Sequence, residues 1–405
     1  MDALKCAKEI CVELRNSGHI AYFAGGWVRD HLLGIDSSDI DIATDALPEE
    51  IIQIFPDHVL VGAQFGVVLV LYGPHQFELA TFRRDVSYEN GRTPSEIELR
   101  STPLEDAKRR DFTINGLFFD PQTNEIYDFV NGRADLAKGV LRTIGNPFDR
   151  FQEDRLRLLR AIRFAYRFGF VIDPETLTAI SSLSVSLLPA VSMERIWQEF
   201  SKMREGPNFQ AALLTMHETK LLQIIFPPLA NVPLHMLEER LAGMDTLSSR
   251  VPAILFLAAL FAEQDAPFVQ NLHQHLRASN EEGKWLESFL EIKKSLKMDA
   301  EPFLIAKLFS NHRFEICFEL FLMKKSMEEK KEWLLWYQKK REELEFFVHR
   351  IRKKEPLVKA QDLIVLGVTP SKEMGRLLQL AERIAINENI RDTQQLLQRL
   401  HDYKS

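Results

Sequence analysis

One stretch constrains this chain more than any other: Ala24 to Thr44, which reads AGGWVRDHLLGIDSSDIDIAT. An apolar run, AYFA, leads into Gly25-Gly26, and a helical pattern carrying Arg29 and Asp30 follows. Gly34 closes that pattern, and a turn rich in Asp and Ser delivers Asp39-Ile40-Asp41-Ile42. The succession predicts strand, glycine turn, helix, turn, strand. Residues i and i+2 of a strand share a face, so Asp39 and Asp41 aim together while Ile40 and Ile42 point into a core. Glycines such as Gly26 let backbone approach a triphosphate, and amides at a helix start favour anions. Arg29 can grip phosphate through several donors. Asp39 and Asp41 are hard oxygen ligands of the kind Mg²⁺ takes. A glycine pair alone is usually a turn and an aspartate pair alone a surface strand. Their order and spacing here point to a divalent metal holding a phosphate. Glu78, in a nearby strand-like segment, is a candidate third carboxylate.

Composition limits what such a unit can serve. The 405 residues exceed one ordinary core and predict roughly two to four units. A net charge of −7 excludes nucleic-acid binding through the whole surface and leaves it to local patches. Cys6, Cys11 and Cys317 form no metal-like spacing, and so sparse a count fits a reducing compartment. The N-terminal segment is amphipathic with mixed charge and lacks the apolar centre of a signal peptide. No run approaches the ~18 apolar residues of a membrane span. A cytoplasmic protein is expected.

Residues 2–17 carry a helical period ended by Gly18, and Pro48 starts a short helix running to about Phe55. Val59–Tyr72 and Phe77–Phe82 read as strands joined by Gly73-Pro74. Residues 83–105 are polar and aperiodic and predict a long loop. Arg109-Arg110-Asp111-Phe112-Thr113-Ile114-Asn115-Gly116 then runs into apolar Leu117-Phe118-Phe119. A strand near 126–129 and a helix near 135–138 finish an α/β unit close to residue 145. From Pro147 onward strand signals nearly vanish. Helical periods broken at Pro189, Pro207, Pro227-Pro228 and Pro252 continue to the end. Residues 324–359 hold 12 Lys or Arg against 7 Asp or Glu, a balance of +5, with Trp333, Trp336, Tyr337, Phe346 and Phe347 among them. That predicts either a solvated face over an aromatic core stripe or a surface for a nucleic-acid backbone.

Five segments fall in order across nearly the whole chain: GGWVRDHLLG with DIDIAT, KRRDFTING, RFQEDRLRLLRAIRFA (Arg150–Ala165), SMERI (Ser192–Ile196) and QDLIVLGVTPSKEMGRLL (Gln361–Leu378). In combination they are specific. The chain resembles the class II tRNA nucleotidyltransferase and bacterial poly(A) polymerase family, of the polymerase-β nucleotidyltransferase superfamily. The resemblance implies an α+β protein. A polymerase-β-type nucleotidyltransferase α/β head (1–145) would carry catalysis. All-helical parts would follow: a neck (146–215) recognising the nucleotide base, a body (216–330) and an RNA-binding tail (331–405). It implies that Asp39 and Asp41 are catalytic and hold Mg²⁺. It implies that Gly26, Arg29, Arg110, Asp111, Asp154, Arg157, Arg160 and Arg163 bind the nucleotide.

Asp154–Arg167, taken as a helix at about 100° per residue, puts Arg157, Arg160, Arg163 and Arg167 on one arc. Leu158, Leu159, Ile162, Ala165 and Tyr166 fall on the other. By the resemblance, Asp154 and Arg157 form a protein template for the incoming base. Cytosine and adenine each present an exocyclic amine beside an acceptor ring nitrogen, which suits a carboxylate and a guanidinium. Guanine and uracil would set a carbonyl oxygen against the carboxylate and an N–H against the guanidinium. Arg160 and Arg163 are expected to reach the triphosphate, Glu153 to orient Arg157, and Arg110 and Asp111 to contact sugar and phosphate. Asn115 is expected as a structural bracket and Arg195 as a helix-stabilising partner. The chain departs from the pattern at Arg155, where proline is frequent, and at Gly116, where alanine is.

Family members add CCA, CC alone, A alone or poly(A). The poly(A) type carries a basic pair where Ala63-Gln64 stand here, and it has a basic C-terminal extension that this chain lacks. The full stretch 83–105, with Arg92 and Pro94, separates the first two motifs, whereas CC-only relatives lack part of it. These points favour template-independent addition of CCA to tRNA from CTP and ATP, with no membrane and no DNA as partner. His401-Asp402 is a bare dipeptide and gives no support for an appended phosphohydrolase domain. The alternatives are poly(A), A-only or CC-only addition and, from a different class, a non-catalytic RNA-binding protein.

Overall fold

Short β-forming runs separated by turn residues assemble the first part of the chain around a seven-stranded sheet. The computed structural model describes residues 2–60, 62, 65–88, 94–244, 247 and 250–402, in two compact units, Met1–Glu238 and Glu239–Ser405. The first unit opens with α1 (Ala3–Asn16), β1 (Ala21–Ala24), α2 (Gly26–Leu32), β2 (Asp41–Thr44) and α3 (Pro48–Ile54). Strands β3 (His58–Val59), β4 (Val67–Tyr72), β5 (His75–Thr81), β6 (Arg83–Tyr88) and β7 (Pro94–Leu99) follow, then α4 (Pro103–Arg109). Next come β8 (Leu117–Phe119), β9 (Ile126–Asp128), α5 (Gly132–Lys138) and β10 (Val140–Leu141).

The sheet order is β3-β4-β5-β2-β1-β8-β9. β2 lies parallel to β5 and the other described pairs are antiparallel. Its two faces are unlike. Phe23, Ile42, Phe77 and Leu79 are buried on one, where α1 packs with Cys6, Ile10 and Leu14. Ala24, Ala43, Phe118, Phe82 and Ala107 form a second cluster. In β1 and β2, Ala24 faces Asp41 and Phe23 faces Ile42. Asp41 therefore emerges at the end of the second face.

Helices dominate from Pro147: α6 (Pro147–Glu153), α7 (Arg157–Phe168), α8 (Pro174–Leu183), α9 (Met193–Arg204), α10 (Phe209–Glu218), α11 (Leu221–Ile225) and α12 (Leu234–Leu241). The short strand β11 (Val171–Ile172) interrupts them and pairs in parallel with β10.

The second unit's described elements are helical: α13 (Ala253–Ala258), α14 (Ala266–Gln270), α15 (Leu272–His275), α16 (Asn280–Ser295), α17 (Pro302–Ser310), α18 (Phe314–Met323), α19 (Met327–Lys353), α20 (Ala360–Val365), α21 (Lys372–Asn387) and α22 (Thr393–Asp402). In the basic α19 the aromatic stripe turns inward. Trp333 and Phe347 are buried, Tyr337 stacks on Phe314, and Trp336 Nε1 donates to Met298 O at 3.0 Å. These rings serve the core, which leaves α19 its charged residues as an outer face. All three cysteines are buried thiols. No described helix is long and apolar enough to cross a membrane.

Four sequence expectations change. Val59–Tyr72 is not one strand: Gly62 and Gly66 take positive φ, and β3 folds back antiparallel on β4. Ala63, Gln64 and Arg92 lie outside the described residues. The supposed long loop at 83–105 contains the antiparallel hairpin β6–β7 and the start of α4. A two-stranded ribbon can be polar on both faces, and here Arg84 and Glu98 oppose each other across it at 3.5 Å. Asp39 lies just before β2 rather than in it.

Finally, the helix starts at Arg157, not Asp154. Asp154 is extended (φ −142°, ψ 109°), and its Oδ1 accepts from Leu156 N at 3.0 Å. Such a side chain competes with the helical hydrogen-bond pattern. Arg155 reaches back to Phe151 O at 2.6 Å, which tightens the kink.

The turn carrying Thr113–Asn115 is buttressed by α5. A Cβ on Gly132 would sit 2.2 Å from Thr113 O. Gly132→Ala is expected to cost roughly 1–3 kcal/mol through overpacking, read as a lowered urea midpoint. An unchanged midpoint would contradict this contact.

Candidate active site

The site is built from four pieces of the first unit: the glycine turn before α2, the start of β2, the stretch after α4, and the kink and outer arc of α7. Together they line a cleft of about 940 Å³. Every nucleotide or metal candidate from the sequence lines it: Gly26, Arg29, Asp39, Asp41, Arg110, Asp111, Asp154, Arg157, Arg160 and Arg163. Glu78 does not, although it stands on β5 beside β2.

The turn itself depends on Gly25 more than on Gly26. Gly25 has φ 62° and ψ −121°, and a Cβ there would lie 2.8 Å from Arg110 Nη1. The backbone thus bends closely under a guanidinium. Asp41 lies at the same place. Burial, then Asp39 and Glu78, push its carboxyl up to about 6, with Arg110 opposing.

The cationic wall is held by internal carboxylates. Arg29 donates through Nε to Asp30 Oδ1 at 2.8 Å and through Nη1 to Asn115 Oδ1 at 2.6 Å. Asn115 Nδ2 donates on to Asp111 Oδ1 at 3.0 Å. Arg160 grips Asp111 Oδ2 through Nε at 2.9 Å and Nη2 at 2.6 Å. Burial alone would raise the Asp111 carboxyl, but Arg160 and the Asn115 hydrogen bond hold it far below the carboxylate range. Asn115 is thus a bracket between α2 and α7, as its position suggested.

Arg157 Nη1 donates to Glu153 Oε2 at 2.7 Å, and Arg157 Nη2 to Arg109 O at 3.2 Å. The neighbouring Asp154 accepts from Arg195 at 3.3 Å, so α9 braces the kink. Arg163 pairs with buried Glu199 of α9 at 3.0 Å, although the two are not aligned as a hydrogen bond. Phe164 lies beneath three guanidinium groups, those of Arg29, Arg160 and Arg163, at 4.5–5.2 Å from its centroid.

Sequence reasoning missed the acids behind the arginines (Asp30, Asp106 and Glu199) and the cleft residues Arg109 and Lys202, while Arg167, on the predicted arginine arc, lines the cleft as well. Asp106 was legible as an i, i+3, i+4 neighbour of Arg109 and Arg110. Glu199 was not, because its partner is more than thirty residues away.

The first unit matches the family model described as the poly A polymerase head domain over residues 21–142. The model described as the probable RNA and SrmB-binding site of polymerase A matches residues 169–232. The stretch matched to the head model carries the glycine turn, the acidic pair and Arg109 to Asn115 of the cleft, while the wall formed by α7 lies beyond it. A CCA-adding enzyme of Enterococcus faecalis is 46% identical over 219 residues, 54% of this chain and 53% of that protein. One from Bacillus cereus is 36% identical over 315 residues, 76% of each chain. The chain spans about half the length of the first of these relatives. The crystal structure of Bacillus stearothermophilus CCA-adding enzyme in complex with CTP aligns with a TM-score of 0.80 at 26% identity, covering 100% of this chain and 99% of that one. The chain belongs to the family of CCA-adding enzymes.

Asp41 provides a test of the site's electrostatics. Its folded pKa lies above its ordinary value of 3.8, so the ionised form opposes folding. Without a divalent cation this penalty is absent below about pH 4 and complete above about pH 6, and it amounts to at most about 3 kcal/mol. Asp41→Asn should raise the denaturant midpoint in EDTA at pH 8 and leave it nearly unchanged at pH 4. Equal effects at both pH values would contradict the assignment.

Proposed function

We propose that the protein adds C, C and A in turn to the 3′ end of tRNA, using CTP and ATP without a nucleic-acid template and releasing pyrophosphate. The observation that carries this reading is the placement of Asp154 and Arg157 on the wall of the same cleft as Asp39 and Asp41. One cleft thus offers a carboxylate and a guanidinium to a base, and a pair of hard oxygen ligands to a metal–phosphate group. The kink at Asp154 and the braces from Arg195 and Glu153 fix the base-reading pair before a nucleotide arrives. Cytosine and adenine match that pair, whereas uracil and guanine oppose it at both contacts. Family membership supports the same reading. The four-part division into head, neck, body and tail is proposed with it.

The acidic pair fits a divalent cation, and Mg²⁺ is the ion proposed. Asp41 is held against two neighbouring carboxylates, a charge arrangement that a dication would relieve. Among the described residues no three such side chains form a closed cage. Mg²⁺ ordinarily takes one or two carboxylates and completes its shell with water and phosphate oxygens. When bound between Asp39 and Asp41, it would neutralise phosphate charge and lower the pKa of the RNA 3′-hydroxyl. The chain's own residues do the rest. Gly25 lets backbone approach the phosphates, Arg29, Arg110, Arg160 and Arg163 present fixed positive charge, and Asp154 and Arg157 choose the base. The basic face of α19 and the helical tail would meet tRNA through its backbone.

Asp39→Ala should lower incorporation by on the order of 1,000-fold while tRNA binding survives. Transcripts ending before CCA, after C and after CC, supplied with labelled CTP or ATP, decide among the alternatives. Incorporation of CTP on the first two and of ATP on the third is expected. ATP addition alone would establish the A-only or poly(A) reading, and failure to add the terminal A would establish CC addition. No incorporation at all would leave the RNA-binding reading.

A further inference from the structure

We infer that Asp106, on α4, is a positioning residue that fixes both the phosphate side and the base-reading side of the cleft. The inference rests on the transferase reading above and adds to it a residue that need not touch the nucleotide.

Asp106 is 1% exposed. Its Oδ1 accepts from Arg109 Nε at 2.7 Å, and its Oδ2 accepts from Arg110 Nε at 3.1 Å and Nη2 at 2.9 Å. The main-chain N–H of Arg83, where the hairpin β6–β7 begins, points to Oδ1 at 3.4 Å. Burial alone would raise this carboxyl, but Arg110 and Arg109 bring it below the usual range, so the group is an anion. A buried anion held by two guanidinium groups locks both of them, because removing either contact leaves charge uncompensated.

The two locked residues serve different ends of the cleft. Arg110 lies over the Phe118 ring at 5.1 Å and against the glycine turn, within 2.8 Å of where a Gly25 Cβ would stand. It occupies the side where phosphate and the acidic pair meet. Arg109 acts through its main chain: its carbonyl oxygen accepts from Arg157 Nη2 at 3.2 Å and from Arg150 Nη1 at 3.5 Å. Arg150 in turn holds Glu153, which holds Arg157. One carboxylate therefore sets a phosphate-side cation and the acceptor that aims the base-reading guanidinium, through two successive residues. A residue that merely stabilised α4 would change how much protein is folded. It would not change the preference of the folded protein for one base over another.

The test uses the full chain and a tRNA transcript ending before CCA, with CTP and UTP as separate substrates. D106N should lower kcat for CTP by on the order of 100-fold, since small misplacements carry that cost. The ratio of kcat/KM for CTP over UTP should narrow about tenfold, as expected when one base contact loosens. E105A, which removes the capping side chain of the same helix, is the control for stability: it should lower Tm and leave the ratio unchanged. A D106N protein with wild-type kcat and ratio per folded molecule overturns the inference. If D106N does not fold, R109Q keeps the carbonyl but loses its tie to Asp106. A narrowed ratio there supports the inference and an unchanged ratio overturns it. Equilibrium binding of CTP and UTP separates this inference from the transferase reading. A wild-type chain that transfers neither nucleotide, yet prefers CTP in binding and loses that preference in D106N, defeats the transferase reading and keeps the inference. Equal preference in both proteins defeats the inference.

Discussion

The structure depends on a single electrostatic constraint: a row of guanidinium groups packed against apolar rings must be matched by carboxylates. Asp30 answers Arg29, Asp106 answers Arg109 and Arg110, Glu153 answers Arg157, Asp111 answers Arg160, and Glu199 answers Arg163. A lone buried charge of either sign would cost several kcal/mol, so these pairs form as sets or not at all. Their consequence is orientation. Each arginine is held by a second side chain and presents a fixed face to the cleft, so little reorganisation is left for the moment of reaction.

The fold supplies the carboxylates from separate elements. Asp30 stands on α2, Asp106 on α4, Glu153 on α6 and Glu199 on α9, while Asp111 lies in the stretch that runs into β8. The sheet brings the acidic pair to the same place, because β2 lies between β1 and β5 and begins beside the glycine turn, with Asp41 opposite Ala24. The wall of α7 is buried on its apolar arc and charged on the other. Arg163 and Phe164 show that the boundary is soft, since both are buried yet line the cleft.

Much of this was legible in the sequence. The strand, glycine turn and helix at 21–32 were, because each is short and carries its own turn chemistry. The arginine arc of α7 was legible from periodicity alone. The hairpin at 83–99 was not, because Arg83, Arg84 and Asp85 open its first strand with a polar run that has no apolar alternation to read. The start of α7 was misplaced because periodicity carries no information about a side chain that hydrogen-bonds its own backbone, as Asp154 does. The partners of the arginines divide in the same way. Asp106 and Glu153 are near neighbours in sequence, while Glu199 and Asn115 become partners only through folding.

The central claim is that the protein itself, through Asp154 and Arg157, selects the base. Equilibrium binding of CTP, ATP, UTP and GTP to the RNA-free chain tests it most directly, with Asp154→Ala alongside. The account predicts that CTP and ATP bind at least about tenfold more tightly than UTP and GTP, and that Asp154→Ala brings the four together. Four equal affinities in the unaltered chain, or a preference that survives Asp154→Ala, would contradict it.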